Sequence, residues 1–197
     1  MTEDFDGSSA VADASNVLVV TPALDDAHDE LCCDVLRAGE TDPDRVVGVT
    51  IADSPESKHS TWRADVGTAP SYAFVSVNGA SRSAAAQAGT AGKLELSTVE
   101  RVDDVTPLDS FGMTIVEQIE SGPETAVCFD SITDLLEYVD RDTAFKFLHV
   151  LVSRVQAEGA RAHFHIDSAA HDEETIALFS TLFDVVVECN DGDCPRA

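Results

Sequence analysis

Apolar residues along this chain fall into short dense runs, and polar, turn-forming stretches separate them. Asn16–Thr21 (NVLVVT), Arg45–Ile51 and Ser71–Val77 (SYAFVSV) are near-continuous apolar segments of strand length, the pattern of strands buried on both faces. Thr125–Phe129, Ala160–Ile166 and Asp184–Cys189 read the same way, and Leu94–Val102 reads as a further strand at a sheet edge. Between these runs the period changes to that of a helix. Ala27–Leu36 offers Leu31, Val35 and two cysteines on one side, and Leu108, Phe111, Ile115 and Ile119 recur at helical spacing. Asp140–Glu158 presents Phe145, Leu148, Leu151, Val152 and Val155, and Asp172–Leu182 predicts a last helix. Strands alternating with helices predict an α/β fold with a mostly parallel central sheet flanked by helices.

Local signals place the boundaries. Thr106-Pro107-Leu108-Asp109 combines a capping hydroxyl, a proline at the first helical position and an acid three residues after the cap, so a helix is expected to start there. Ser121-Gly122-Pro123 stops it, and Gly159 stops the long helix. Residues 52–70 are a polar connection with room for a short helix around Trp62, and the Gly/Ala/Ser-rich residues 78–92 are expected to form a mobile loop. Residues 1–14 read as a disordered acidic tail, residues 15–190 as a single α/β domain, and residues 191–197 as a C-terminal tail.

Charge changes the picture more than hydrophobicity does. The chain of 197 residues is 44% hydrophobic, enough for a substantial core, but carries 37 acids against 12 Lys+Arg for a formal net charge of −25. Its lysines are Lys58, Lys93 and Lys146 alone. Acids spread over the whole length predict a surface adapted to molar salt, hence a halophilic cytoplasm, because screening there makes self-repulsion cheap. Direct nucleic-acid binding is disfavoured, since no stretch concentrates Lys and Arg. No apolar run approaches membrane-spanning length and no signal pattern opens the chain, so neither a membrane partner nor a membrane location is expected. The cysteines Cys32, Cys33, Cys128, Cys189 and Cys194 contain no CxxC pair and read as reduced, mostly structural thiols, a Cys189–Cys194 bridge being the less favoured reading.

From Pro107 onward the order is helix, strand ending Phe129-Asp130-Ser131, helix, long helix, strand, helix, and strand ending DVVVE. This resembles the second half of the RecA-like core of KaiC-type ATPases. The segments DSITDLLEYVDRDTAFKFLHVLVSRVQAEGARAHFHID and HDEETIALFSTLFDVVVE are more closely similar to the RecA-related htr-like proteins of halophilic archaea. The resemblance covers roughly 80 residues well and the N-terminal half loosely. It implies the fold and carries no activity over.

Chemistry departs from that pattern at the first strand. A working phosphate loop, G-x-x-x-x-G-K-S/T, uses glycines so that backbone N–H groups cradle oxygens, and a lysine on the outer phosphates. Laying VLVVT on the family's first strand puts Thr21 and Asp26 at the glycines, Ala27 at the lysine and His28 at the hydroxyl. Asp25, Asp26 and Asp29 then stand where phosphates would sit, and like charges repel there. Phosphate-loop ATP hydrolysis is therefore not expected, and no cofactor is called for.

Two constellations remain. Asp130, with Ser131, occupies the place of the family's Mg²⁺-binding acid or else caps the helix that follows, the cap being favoured. His163, His165 and Asp167 share one strand face by alternation, near the expected end of the Asp130 strand. They form a plausible Zn²⁺, Mn²⁺ or Fe²⁺ set, against which stands a reading of one packed histidine with Asp167 and Asp172 as caps. Cys32 and Cys33 point to different sides of their helix and read as packing residues; Trp62 and Tyr72 read as core; Asp103 and Asp104 read as an acidic turn.

The function favoured by these readings is a non-catalytic RecA/KaiC-like regulatory or interaction domain, a pseudo-ATPase feeding signalling, motility or transcription. Its partner would be a protein, either a RecA/KaiC-like protein or a second copy of the chain. A metal-dependent enzyme using His163, His165, Asp167 and Asp130 is the alternative, with nucleotide binding without hydrolysis as a further one.

Overall fold

The structure, a computed structural model, describes residues 7–22, 26–38, 42–67, 70–77, 97–119 and 125–189. Its strands are β1 (Asn16–Thr21), β2 (Arg45–Thr50), β3 (Ser71–Val77), β4 (Ser97–Val102), β5 (Thr125–Asp130), β6 (Arg161–Asp167) and β7 (Val185–Glu188). Its helices are α1 (Gly7–Asp13), α2 (Asp26–Arg37), α3 (Pro55–Asp65), α4 (Leu108–Gln118), α5 (Ile132–Leu135), α6 (Arg141–Glu158) and α7 (Glu173–Ser180). Among the described residues the strands form one 7-stranded sheet in the order β4-β3-β2-β5-β6-β1-β7. Every pairing in it is parallel.

Period-two alternation divides the strand residues between two covered faces, which is why the runs are apolar throughout. One face carries Leu18, Val20, Val47, Val49, Val75, Val127, Phe129, Phe164 and Ile166, packed against Phe111 and Ile115 of α4, Leu148 and Val155 of α6 and Phe179 of α7. Fully burying each such side chain contributes about 1.5–3 kcal/mol. The opposite face carries Val46, Tyr72, Phe74, Ala126 and Cys128, which meet Cys32, Cys33 and Leu36 of α2 and Trp62 of α3. Val17 and Val19 on that face pack with Val11 of α1 and with Leu31 and Val35 of α2.

Several helices start and stop on the signals the sequence carries. Asp140 accepts from the Thr143 N–H at the start of α6, Gly159 ends it at φ 73°, and Asp172 accepts from the Thr175 N–H at the start of α7. A left-handed residue at that stop is what glycine tolerates best. At α4 the cap differs from expectation. Pro107 is the N-cap residue and makes no side-chain bond, while the Thr106 N–H donates instead to the Asp104 carboxylate at 3.0 Å.

Other departures have physical causes. α1 lies in the stretch expected to be a disordered tail; Val11 and Ala14 are buried against β1, α2 and β7, which gives this short helix a packed side. The helix around Trp62 spans a full 11 residues, opened by the Ser54 hydroxyl accepting from Ser57 and by Pro55 in the first turn. Cys189, just after β7, is disulfide-bonded, so the expectation of mostly free thiols does not extend to it; Cys194 lies outside the described residues. The expected loop 78–92, the beginning of the strand expected from Leu94 and the tail 191–197 lie outside them too, and β4 lies at one edge of the sheet formed by the described residues. No helix among the described residues is long and apolar enough to cross a membrane.

Candidate functional site

The face of the sheet beneath α2 and α3 is where polar chemistry enters the core. Alternation along β5 points Cys128 and Asp130 to that face, and alternation along β6 points His163 and His165 there. The register sets Cys128 directly beside His163. From above, α2 lowers Cys32 onto both. Its sulfur lies 3.6 Å from the Cys128 sulfur and 3.2 Å from His163 Nε2. The His163 and His165 rings meet edge to face, centroids 4.9 Å apart.

One potential ligand atom from each of Cys32, Cys128, His163 and His165 lies within 4.8 Å of the other three. All four residues are at most 2% exposed. The two thiols are driven apart in acidity. Burial opposes a thiolate at Cys32, but hydrogen bonding from Cys128 and the His163 imidazole outweigh it and hold Cys32 well below the ordinary thiol range. Burial, followed by the bond to Cys32, pushes Cys128 well above it.

Asp130 ends β5, in register with Thr50 of β2. Lys58 of α3 reaches down to it, with Nζ 2.7 Å from Oδ2 and side-chain exposures of 7% and 2%. Asp53 lies at the edge of contact with the same ammonium, at 4.0 Å, and is largely exposed. Burial disfavours the Lys58 charge, but the adjacent Asp130 charge outweighs burial and raises the ammonium pKa above its ordinary value. Asp130 does not cap the following helix. Ser131 takes that place, accepting from the Asp134 N–H at 3.1 Å and donating its hydroxyl to the Asp134 carboxylate at 2.6 Å. The favoured sequence reading of Asp130 as a cap is corrected here: the shorter Ser131 side chain reaches the helix amides, and Asp130 points under α3 instead.

The remaining candidates scatter. Thr21 is buried at the end of β1, paired in register with Asp167. α2 begins at Asp26 and includes Ala27 and His28, whose side chains lie outside the described residues. Asp167 is not part of the thiol–imidazole group; its carboxylate accepts from the Ala169 N–H at 2.7 Å and so shapes the turn after β6. His171 bonds Thr133 at 3.0 Å. Trp62 stacks on Phe74 at 5.4 Å, and the Tyr72 hydroxyl donates to the Gly67 carbonyl at 2.6 Å, both inside the core.

Sequence reasoning passed over Cys32 and Cys128 as possible ligands, and Lys58 as Asp130's partner. Periodicity gives a face but not a neighbour. It placed His163 and His165 together, yet only the β5–β6 register brings Cys128 beside them. For Lys58 a signal existed: it is one of three lysines in a strongly acidic chain, four residues into the helix after β2.

This sheet with its flanking helices is an α/β domain of the RecA-like class, which two solved structures support. A structure of project PH0250 from Pyrococcus horikoshii OT3 superposes with a TM-score of 0.57 at 13% identity, covering 91% of this chain and 84% of that one. The flagellar accessory protein FlaH from Methanocaldococcus jannaschii gives 0.51 at 10% identity, covering 91% of this chain and 74% of the other. At such identities the likeness concerns the fold alone. Residues 14–189 match the family of unknown function DUF7504, and the chain belongs to that family. Among curated proteins, none matches.

Proposed function

We propose that this chain is a non-catalytic RecA-like regulatory or interaction domain, a pseudo-ATPase that works through protein contacts in a halophilic cytoplasm. The observation that carries the reading is the Lys58–Asp130 pair. In the RecA-like pattern the acid at the end of this strand holds Mg²⁺ beside the phosphates. Here that carboxylate is 2% exposed and held by an ammonium at 2.7 Å. A lysine so placed supplies the positive charge that a metal ion would bring, and a Mg²⁺ ion would have to displace it. The sequence after β1 adds to this, with Asp25, Asp26 and Ala27 where glycine and lysine are needed. A partner that is itself RecA-like, or a second copy of the chain, fits a fold whose relatives share its sheet and helix framework.

A metal-dependent enzyme using His163, His165 and Asp167 is not favoured, because Asp167 serves a turn and the two imidazoles sit in the closed interior. The experiment is phosphate release from Mg²⁺-ATP by the purified chain in molar KCl. The reading expects no turnover above buffer, and the same background for Asp130→Ala. Mg²⁺-dependent turnover that disappears in Asp130→Ala would overturn it.

A further inference from the structure

We propose that Cys32, Cys128, His163 and His165 bind one Zn²⁺ ion as a closed, structural site that fastens α2 to the sheet. The argument begins with the identity of the donors. Two thiols and two imidazoles are the soft and borderline ligands that select zinc among common divalent ions, and four of them complete a tetrahedron. Their spacing agrees with that geometry. Two sulfurs bound to one zinc stand about 3.8 Å apart, and a sulfur and a nitrogen about 3.6 Å apart. The Cys32 and Cys128 sulfurs are 3.6 Å apart, and Cys32 Sγ is 3.2 Å from His163 Nε2, so small outward movements admit the ion.

Charge gives the second argument. Two thiolates, two neutral imidazoles and one Zn²⁺ sum to zero, the arrangement a dry interior accepts most readily. Binding releases the thiol protons to solvent. The same four groups without an ion leave a cluster of polar atoms to satisfy one another beneath a helix.

Complete burial settles the class of site. Catalytic zinc keeps an open position for water, whereas structural zinc is enclosed by four protein ligands. Here all four are buried. The ligands also come from far apart in the chain, with Cys32 separated by 96 residues from Cys128 and by 131 from His163. An ion bound by them closes long loops and holds α2, the helix that follows the altered phosphate-loop position, onto β5 and β6.

The test uses the full chain without an affinity tag, purified in molar KCl with no chelator. Elemental analysis is expected to find about one zinc per chain. Cys32→Ser, Cys128→Ser, His163→Gln and His165→Gln should each lose it, and His171→Gln should keep it. Because those ligand variants can fail to fold, the second measurement uses wild-type chain. Zinc is exchanged for Co²⁺, and the intense visible bands and thiolate-to-metal charge transfer of tetrahedral cobalt are expected. Removing zinc with a chelator should lower the melting temperature by about 10 °C or more. Folded protein that contains no metal and melts unchanged with chelator, a Cys32–Cys128 disulfide by mass spectrometry, or weak octahedral cobalt spectra would each overturn the proposal.

Discussion

Lys58→Met removes the ammonium from beneath α3 and leaves the Asp130 carboxylate in place. The magnitude follows from the geometry. The charges are 2.7 Å apart, with side-chain exposures of 7% and 2%, so bulk water and salt screen them little. At that separation and an effective dielectric near 20, the attraction is about 6 kcal/mol, most of it offset by the desolvation of both groups. Breaking such a pair from one side strands a buried charge and costs about 3–5 kcal/mol. For a chain of this size that is a fall in melting temperature of about 10 °C. Removing both charges is a different perturbation, and Lys58→Met with Asp130→Asn should recover most of the loss. Urea titrations followed by circular dichroism in molar KCl measure all the variants without changing ionic strength. The sign with pH is also fixed. A lysine whose folded pKa is raised contributes stability that is complete below its unfolded value of about 10.4 and is lost only as pH rises through the folded value. Wild-type stability should therefore show no loss from the Lys58 charge between about pH 6 and about pH 9. A cost below about 1 kcal/mol, or a double variant no more stable than the single one, would refute this reasoning.

Gly48 of β2 faces the stack of Phe74 and Trp62, and a Cβ there would lie 2.6 Å from the Phe74 ring and 2.9 Å from Trp62. Gly48→Ala should cost about 1–3 kcal/mol in urea unfolding, and a neutral result would mean that the stack yields freely. With a formal net charge of −25, the melting temperature should fall steeply as KCl is diluted from 1 M, where the Debye length is about 3 Å, to 0.01 M, where it is about 30 Å. Identical melts at both salts would contradict the halophilic reading.

The strands were the most legible part of the chain. Asn16–Thr21 and Ser71–Val77 form strands over those same residues because a parallel sheet covered on both faces demands unbroken apolar runs. The caps Asp140 and Asp172 and the stop at Gly159 mark their helices for an equally local reason. What local pattern does not carry is assembly. α3 is mostly polar, and its role shows only once Lys58, His59 and Trp62 turn toward the sheet. α1 becomes a helix with a buried side because β1 and β7 supply a surface for Val11. Likewise, His163 and His165 were visible as a pair on one strand, whereas Cys32 and Cys128 join them through the placement of α2 and the register of β5 against β6, neither of which a single sequence encodes at short range.

The central proposal, that a lysine–aspartate pair stands where a RecA-like ATPase would hold Mg²⁺, is tested most directly by titrating Mg²⁺-ATP into the purified chain in molar KCl and recording the heat of binding and the melting temperature. A ligand at a hundredfold excess over its Kd stabilises the folded state by about 2.7 kcal/mol, so binding would be plain in both signals. The account predicts neither binding heat nor a shift in melting for the wild-type chain. Stoichiometric Mg²⁺-dependent binding that Asp130→Ala abolishes would contradict it.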